Sequence, residues 1–186
     1  MYEELALLEL AIWLGLPAWI ANATPVLGGG GRPIDGGRHL RDGRRLFGKG
    51  KTVRGFIVGL IFGTLTGLAQ FFAAPYLRPL LAMFVTITPD MDYVLSMQIP
   101  VAALMSFGAL VGDLIGSFIK RRVGVESGNP SPVMDQLGFI IMALIFAALI
   151  FRPSPVFVMI LIITTFFIHW FSNVLGYLLG LKKHPW

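Results

Sequence analysis

Residues 53–74 read VRGFIVGLIFGTLTGLAQFFAA, 22 residues with a single charge, Arg54. As a helix rising about 1.5 Å per residue, this stretch is long enough to cross a hydrocarbon layer of roughly 30 Å. Four further stretches qualify on the same ground: Leu5–Leu27, Ile99–Ile119, Val133–Phe151 and Val156–Leu181. The first is expected to bend or weaken at Pro17. The apolar patch Leu80–Thr88 is too short to span and reads as interfacial or re-entrant. Composition agrees with the spans. The chain has 186 residues, of which 55% are hydrophobic and 13% charged, whereas soluble domains carry about a quarter charged residues. Intrinsic disorder is excluded, because so much apolar surface has to be buried. The expected class is an all-α integral membrane protein, one polytopic domain over residues 1–186 with five transmembrane helices.

Charge placement orients the spans. Arg32, Arg38, Arg41, Arg44, Arg45, Lys49, Lys51 and Arg54 lie in or just after the first loop, Lys120, Arg121 and Arg122 in the third, and Lys182 and Lys183 in the tail. These are 13 of the 15 basic residues, and only Arg78 and Arg152 fall on the other side. Because positive loops stay in the cytoplasm, the expectation is an N-terminus outside, a cytoplasmic C-terminus, and cytoplasmic loops at about 28–52 and 120–132. The acidic start Met1-Tyr2-Glu3-Glu4 does not suit a cleaved signal peptide, so the first span is expected to be retained. Gly55, Gly59, Gly63 and Gly67, with Gly108, Gly112 and Gly116, recur every fourth residue, a spacing that lets helix backbones approach closely. These faces would serve packing within one chain or between two, which leaves a homodimer open.

The chemistry is expected on the cytoplasmic side. From Gly28 to Gly55 the first loop holds ten glycines and eight basic residues. Glycines let backbone N–H groups turn toward an anion, and Lys and Arg supply charge. This favours a phosphate-binding loop over a flexible basic loop resting on anionic headgroups. It is not a P-loop: after Gly43 and Gly48-Lys49, Gly50 stands where Ser or Thr is needed, and no strand precedes it.

Asp113 lies within the third span, where a carboxylate is costly unless paired, metal-bound or facing water. Ser117, Lys120 and Arg121 continue its face toward the cytoplasm. Asp135 opens the fourth span at similar or slightly shallower depth. Two carboxylates near one level, with no cysteine and no clustered histidine in the chain, suit a hard cation, and magnesium takes one or two carboxylates plus substrate phosphates. The structural alternative pairs Asp113 with Arg121 or Lys120 and leaves Asp135 complementing its helix N-terminus. Asn22, near the cytoplasmic end of the first span, is placed either to bond a ligand or to join two helices. Asp35 and Asp42 read as loop residues balancing nearby arginines, and His169 as an interhelical hydrogen-bond partner. Together these features indicate magnesium-dependent chemistry on a phosphate-bearing substrate, one partner being a lipid, with no nucleic-acid partner. An ionised lipid phosphate could attack a nucleotide α-phosphorus without a general base.

Several segments, in order, resemble archaeal CDP-archaeol synthases: Leu16-Pro17-Ala18-Trp19-Ile20-Ala21-Asn22, Arg32-Pro33-Ile34-Asp35-Gly36-Gly37, Asp42-Gly43-Arg44-Arg45, Gly48-Lys49-Gly50-Lys51-Thr52-Val53-Arg54-Gly55, Gly112-Asp113, Ser117-Phe118-Ile119-Lys120-Arg121-Arg122 and Met134-Asp135-Gln136-Leu137. The related CDP-diacylglycerol synthases share a Ser-x-x-Lys-Arg stretch and a downstream acidic motif. They differ where this chain has Glu126-Ser127-Gly128 and Asn129-Pro130-Ser131-Pro132, which favours the ether-lipid branch. The resemblance implies a CTP-dependent cytidylyltransferase that joins CMP to 2,3-bis-O-geranylgeranylglycerol phosphate and releases pyrophosphate. It implies that Asp113 and Asp135 hold magnesium and that Lys49, Lys51, Lys120 and Arg121 hold the triphosphate. Lys51-Thr52 would lie near the nucleotide, with Ser117 and Asn22 as further candidate contacts.

Three rival readings fare less well. A CDP-alcohol phosphotransferase would need Ala-Arg and then a spaced aspartate pair to complete its motif, but Asp42-Gly43-Arg44-Arg45 runs into Leu46-Phe47 and no such pair completes it. A transporter or channel for an anionic solute would spread polar residues through the membrane depth, whereas here they gather at one side. A structural membrane subunit would leave the acidic pair unexplained.

Overall fold

The structure, a computed structural model, describes residues 2–127, 129 and 131–180. Six helices follow in order: α1 (Tyr2–Gly28), α2 (Val53–Ala82), α3 (Pro89–Leu95), α4 (Ile99–Arg122), α5 (Pro132–Ala147) and α6 (Pro155–Leu178). Among the described residues the only strand-like pairings are two isolated bridges, Pro33 with Thr52 and His39 with Arg45. The tail lysines Lys182 and Lys183, and the end of the expected fifth span at Leu181, lie outside the described residues.

Helices α1, α2, α4 and α6 are long and apolar enough to cross a membrane. Their outward faces carry exposed apolar side chains such as Ile57, Ile61, Phe72, Met159 and Phe167, the surface expected of a protein solvated by lipid. Helix α5 has 16 residues, about 24 Å, and ends short of the expected Phe151. The chain instead turns through residues 148–151, where Phe151 N–H bonds the Ala147 carbonyl at 2.8 Å and the Phe151 ring stacks on Tyr93 of α3 at 4.1 Å. The patch at Leu80 is also revised. Leu80–Ala82 complete α2 and do not form a separate re-entrant element. Leu77 and Leu81 pack on the core, and Arg78 is tied to Asp92 at 2.6 Å and Ser96 at 2.8 Å, so α2 continues through Pro75 and Pro79.

Pro17 does not break α1 either. A proline lacks the N–H that would serve the carbonyl four residues back. That carbonyl, of Trp13, accepts a 2.6 Å bond from Gln70 Nε2 of α2. A neighbouring helix thus replaces the missing donor, as lipid surroundings require.

Helix α4 lies at the centre, against α1, α2 and α5. The glycine faces are spent on this packing. A Cβ on Gly59 would meet the Ala21 carbonyl of α1 at 2.6 Å and Leu110 of α4 at 2.8 Å, and one on Gly67 would collide with Ala102 Cβ. A Cβ on Gly108 would meet the Met142 carbonyl, and one on Gly112 the Gly138 carbonyl, each at 2.6 Å, while Gly116 faces Met134. Helices α4 and α5 are therefore antiparallel with a fixed register. That register sets the level of the two carboxylates.

Candidate active site

The first loop is folded. Ile34 N–H bonds the Lys51 carbonyl at 2.8 Å and Val53 N–H the Arg32 carbonyl at 3.0 Å, closing the loop's base beside α2. A smaller hairpin is tied by Leu40 N–H to the Arg44 carbonyl at 2.9 Å and Leu46 N–H to the Arg38 carbonyl at 3.2 Å, and Gly43 at its tip takes a φ of 74°. Thr52 caps α2: its Oγ1 accepts from Gly55 N–H at 3.1 Å. This geometry replaces the picture of a flexible loop lying on headgroups.

The loop docks on the end of α4. Arg44 Nη1 donates to the carbonyls of Arg121 at 3.1 Å and Arg122 at 2.8 Å, filling two acceptors that a helix C-terminus leaves open. Arg122 reciprocates, with Nη1 2.7 Å from Asp42 Oδ2 and Nη2 2.5 Å from the Arg45 carbonyl. Asp42 therefore balances an arginine of the third loop and not only its own neighbours. A Cβ on Gly48 would come within 2.7 Å of Ser127 Oγ and 3.6 Å of Arg121 Nη1, so the backbone there passes over the Arg121 guanidinium.

Asp113 is paired, but not with the partners expected from its own helix. Lys51 Nζ of the first loop donates to both its oxygens, at 2.7 and 2.5 Å, and each side chain keeps 31% exposure. Asp135 is held by Lys120 Nζ at 2.6 Å and by Ser131 N–H at 2.9 Å. From the facing pairs Gly112–Gly138 and Gly116–Met134, Asp135 sits two residues nearer the loop end than Asp113, about 3 Å along the helix axis. Arg121 is buried, and its Nε and Nη1 have no hydrogen-bond partner among the described residues. The carboxylates of Asp135 and Glu126 act on this guanidinium through charge, while those two N–H positions stay without a hydrogen bond among the described residues.

The other expected residues are distributed around this centre. Ser117 is buried on the α4 turn between Asp113 and Arg121. Lys49 is exposed on the loop. Asn22 is half-buried on α1, one residue past Ala21, whose carbonyl lies against Gly59 of α2 where Leu110 of α4 also packs. His169 bonds within its own helix, to Asn173 at 3.1 Å. Two residues do more than the sequence reading assigns them. Gln136, beside Asp135, is buried with Oε1 unpartnered among the described residues. Asp35 is the hub of the first loop. Its side chain is fully covered and accepts from Arg45 Nη2 at 2.6 Å, Gly37 N–H at 2.9 Å, and Phe47 and Gly48 N–H at 3.2 Å each. Burial pushes the Asp35 carboxyl up, but the Arg45 guanidinium and these three amides outweigh it and hold the group well below the usual carboxylate range. The Asp35-Gly36-Gly37 triplet, which reads as an Asx turn, was the available signal.

Among the described residues no group of three or more His, Cys, Asp or Glu could hold a metal. Any divalent ion here would rest on Asp113, Asp135 and oxygens brought by a substrate. Such a donor set is all oxygen and fits magnesium.

Comparison with known proteins gives a consistent result. The family model described as CarS-like, CDP-archaeol synthase, matches residues 4–186. The chain is 50% identical over 176 residues to the CDP-archaeol synthase of Thermococcus kodakarensis, covering 95% of each chain. It is 43% identical over 183 residues to that of Methanocaldococcus jannaschii, covering 97% of this chain and 98% of the relative. A solved structure described as an intramembrane enzyme for archaeal membrane lipids biosynthesis superposes with a TM-score of 0.70 at 39% identity, covering 88% of this chain and 92% of the other. The chain belongs to the CDP-archaeol synthase family.

Proposed function

We propose that this protein is a CTP-dependent cytidylyltransferase that makes CDP-archaeol from 2,3-bis-O-geranylgeranylglycerol phosphate and releases pyrophosphate. Its relatives are named as synthases, and the transporter alternative finds no support among them. The observation that carries the chemistry is the arrangement of counter-ions. Two carboxylates on packed helices are each neutralised by a lysine, beside a buried arginine with open N–H groups. A nucleotide triphosphate entering this cluster gives Lys51, Lys120 and Arg121 phosphate oxygens to bind, and frees Asp113 and Asp135.

Magnesium, once bound by Asp113, Asp135 and phosphate oxygens, supplies neutralisation of charge on those oxygens. Lys51 and Lys120 orient the triphosphate, and Arg121 holds one of its oxygens. An ionised oxygen of the lipid phosphate attacks the α-phosphorus in line. The new P–O bond forms as the bond to the bridging oxygen of the pyrophosphate breaks, and the electron pair leaves with that oxygen. No proton needs to be removed, consistent with a site built of carboxylates, lysines and an arginine. The lipid enters laterally from the bilayer, with its phosphate at the level of the carboxylates. The distribution of basic residues supports a cytoplasmic site and an N-terminus outside. Because the glycine faces of α2 and α4 are filled within one chain, the reading needs no second copy.

The test uses purified protein in detergent with magnesium, CTP and the prenylated ether-lipid phosphate. Pyrophosphate and a CDP-lipid are expected in equal amounts. A well-folded sample that forms neither refutes the proposal.

A further inference from the structure

We propose that Asp35 is a positioning residue for the transfer, acting through Gly48 to fix the turn that carries Lys51. The inference rests on the reading of Lys51 as a phosphate-binding residue.

Asp35 lies outside the charged cluster, yet every link between them is a direct bond. Its carboxylate accepts from Phe47 and Gly48 N–H on one side of the hairpin base and from Gly37 N–H on the other. The Gly48 carbonyl accepts from Lys51 N–H at 3.3 Å, and the Lys51 carbonyl accepts from Ile34 N–H, the residue before Asp35, at 2.8 Å. Residues 48–51 are thus hung at both ends from the Ile34-Asp35 pair. In this placement Lys51 Nζ reaches Asp113 and the Gly48 backbone lies over Arg121. A carboxylate has about four acceptor sites, and Arg45, Gly37, Phe47 and Gly48 use that capacity fully. Asp35 therefore has nothing left for a substrate, and its effect has to pass through the turn. Gly48 holds a φ of 117°, a conformation other residues rarely adopt. The same segment cannot easily relax to another shape.

The experiment is a kinetic double-mutant cycle between Asp35→Asn and Lys51→Ala, with CTP and lipid phosphate varied separately. Asp35→Asn keeps the volume but replaces an acceptor oxygen with a donor facing N–H groups. The expected result is a fall of about tenfold to a hundredfold in kcat/KM for CTP, carried mainly by KM, with KM for the lipid phosphate unchanged within about threefold. In the Lys51→Ala background the same substitution should cost less than about threefold. Independent effects that multiply, or equal losses toward both substrates, overturn the proposal. Arg45→Gln removes the side-chain partner and leaves the three backbone bonds, so it should give the same CTP-selective pattern at smaller size. If neither variant folds in detergent, Asp35 is a scaffold residue only and the proposal fails. A wild-type protein that forms no pyrophosphate refutes the function, whereas active wild type with an indistinguishable Asp35→Asn variant refutes this inference alone.

Discussion

Replacing Gln70 with leucine tests how the helices are held together, whatever reaction they support. In the structure Gln70 Nε2 donates at 2.6 Å to the Trp13 carbonyl, which Pro17 deprives of its own helical donor. Gln70 is 2% exposed, so no water replaces the bond. Orphaning a buried carbonyl costs about 1–3 kcal/mol, whereas interhelical bonds measured in bilayer proteins average about 0.6 kcal/mol and reach about 1.7. Gln70→Leu also removes an amide oxygen that has no partner among the described residues, which returns part of the loss. A net destabilisation of about 1 kcal/mol follows, or roughly 2–4 °C in thermal unfolding for a chain of this size. Pro17→Ala restores the N–H that serves the Trp13 carbonyl. In that background Gln70→Leu should cost almost nothing. Thermal unfolding of the four proteins in one detergent measures the coupling. Strictly additive effects would show that the two groups do not share the carbonyl and would refute the reasoning.

Three further outcomes are expected. Asp113→Asn and Asp135→Asn should each abolish pyrophosphate release while leaving the unfolding temperature within a few degrees, and activity surviving in either removes that residue from the site. Gly67→Ala should lower stability by about 1–3 kcal/mol, because its Cβ collides with Ala102, while Gly50→Ala, with open space around it, should be silent in the same unfolding assay. The depressed Asp35 carboxyl stabilises the loop above the ordinary carboxylate value of about 4 and loses that contribution only as pH falls toward its lowered folded value. Hydrogen exchange at the Phe47 and Gly48 amides, corrected for intrinsic rates, should thus show unchanged protection from neutral pH down to about pH 4.5. Loss of protection near pH 6 would contradict this account.

Hydropathy placed the long helices within a few residues, because a long apolar run has one stable answer in lipid, except at the end of α2, which runs eight residues past the apolar stretch 53–74 to Ala82. The glycine spacing was equally legible, since a missing Cβ can only bring another element closer. What local pattern could not show was tertiary rescue. Pro17, Pro75 and Pro79 look like breaks until Gln70, Leu77, Arg78 and Leu81 are seen anchoring the helices around them. In the site, spacing along α4 proposed Lys120 or Arg121 for Asp113, but the partner came from Lys51, 62 positions away. For Asp35 the expected balance with a nearby arginine is met by Arg45, but its bonds to Phe47 and Gly48 exist only once the hairpin closes, so its wider role was not legible locally.

The register of α4 and α5 has one more consequence. With Gly116 opposite Met134, the first residue of α5 stands level with Phe118, and α4 runs four residues farther, to Arg122, a step of about 6 Å. The chain that leaves α4 has to descend this step before it becomes helical again. Irregular backbone is tolerated at such depth only where it borders water or polar groups. The short helix begins about one turn below the end of α4, and the overhanging last turn of α4 brings Lys120 within 2.6 Å of Asp135, so the unequal lengths of two packed helices are what pair this carboxylate with a cation.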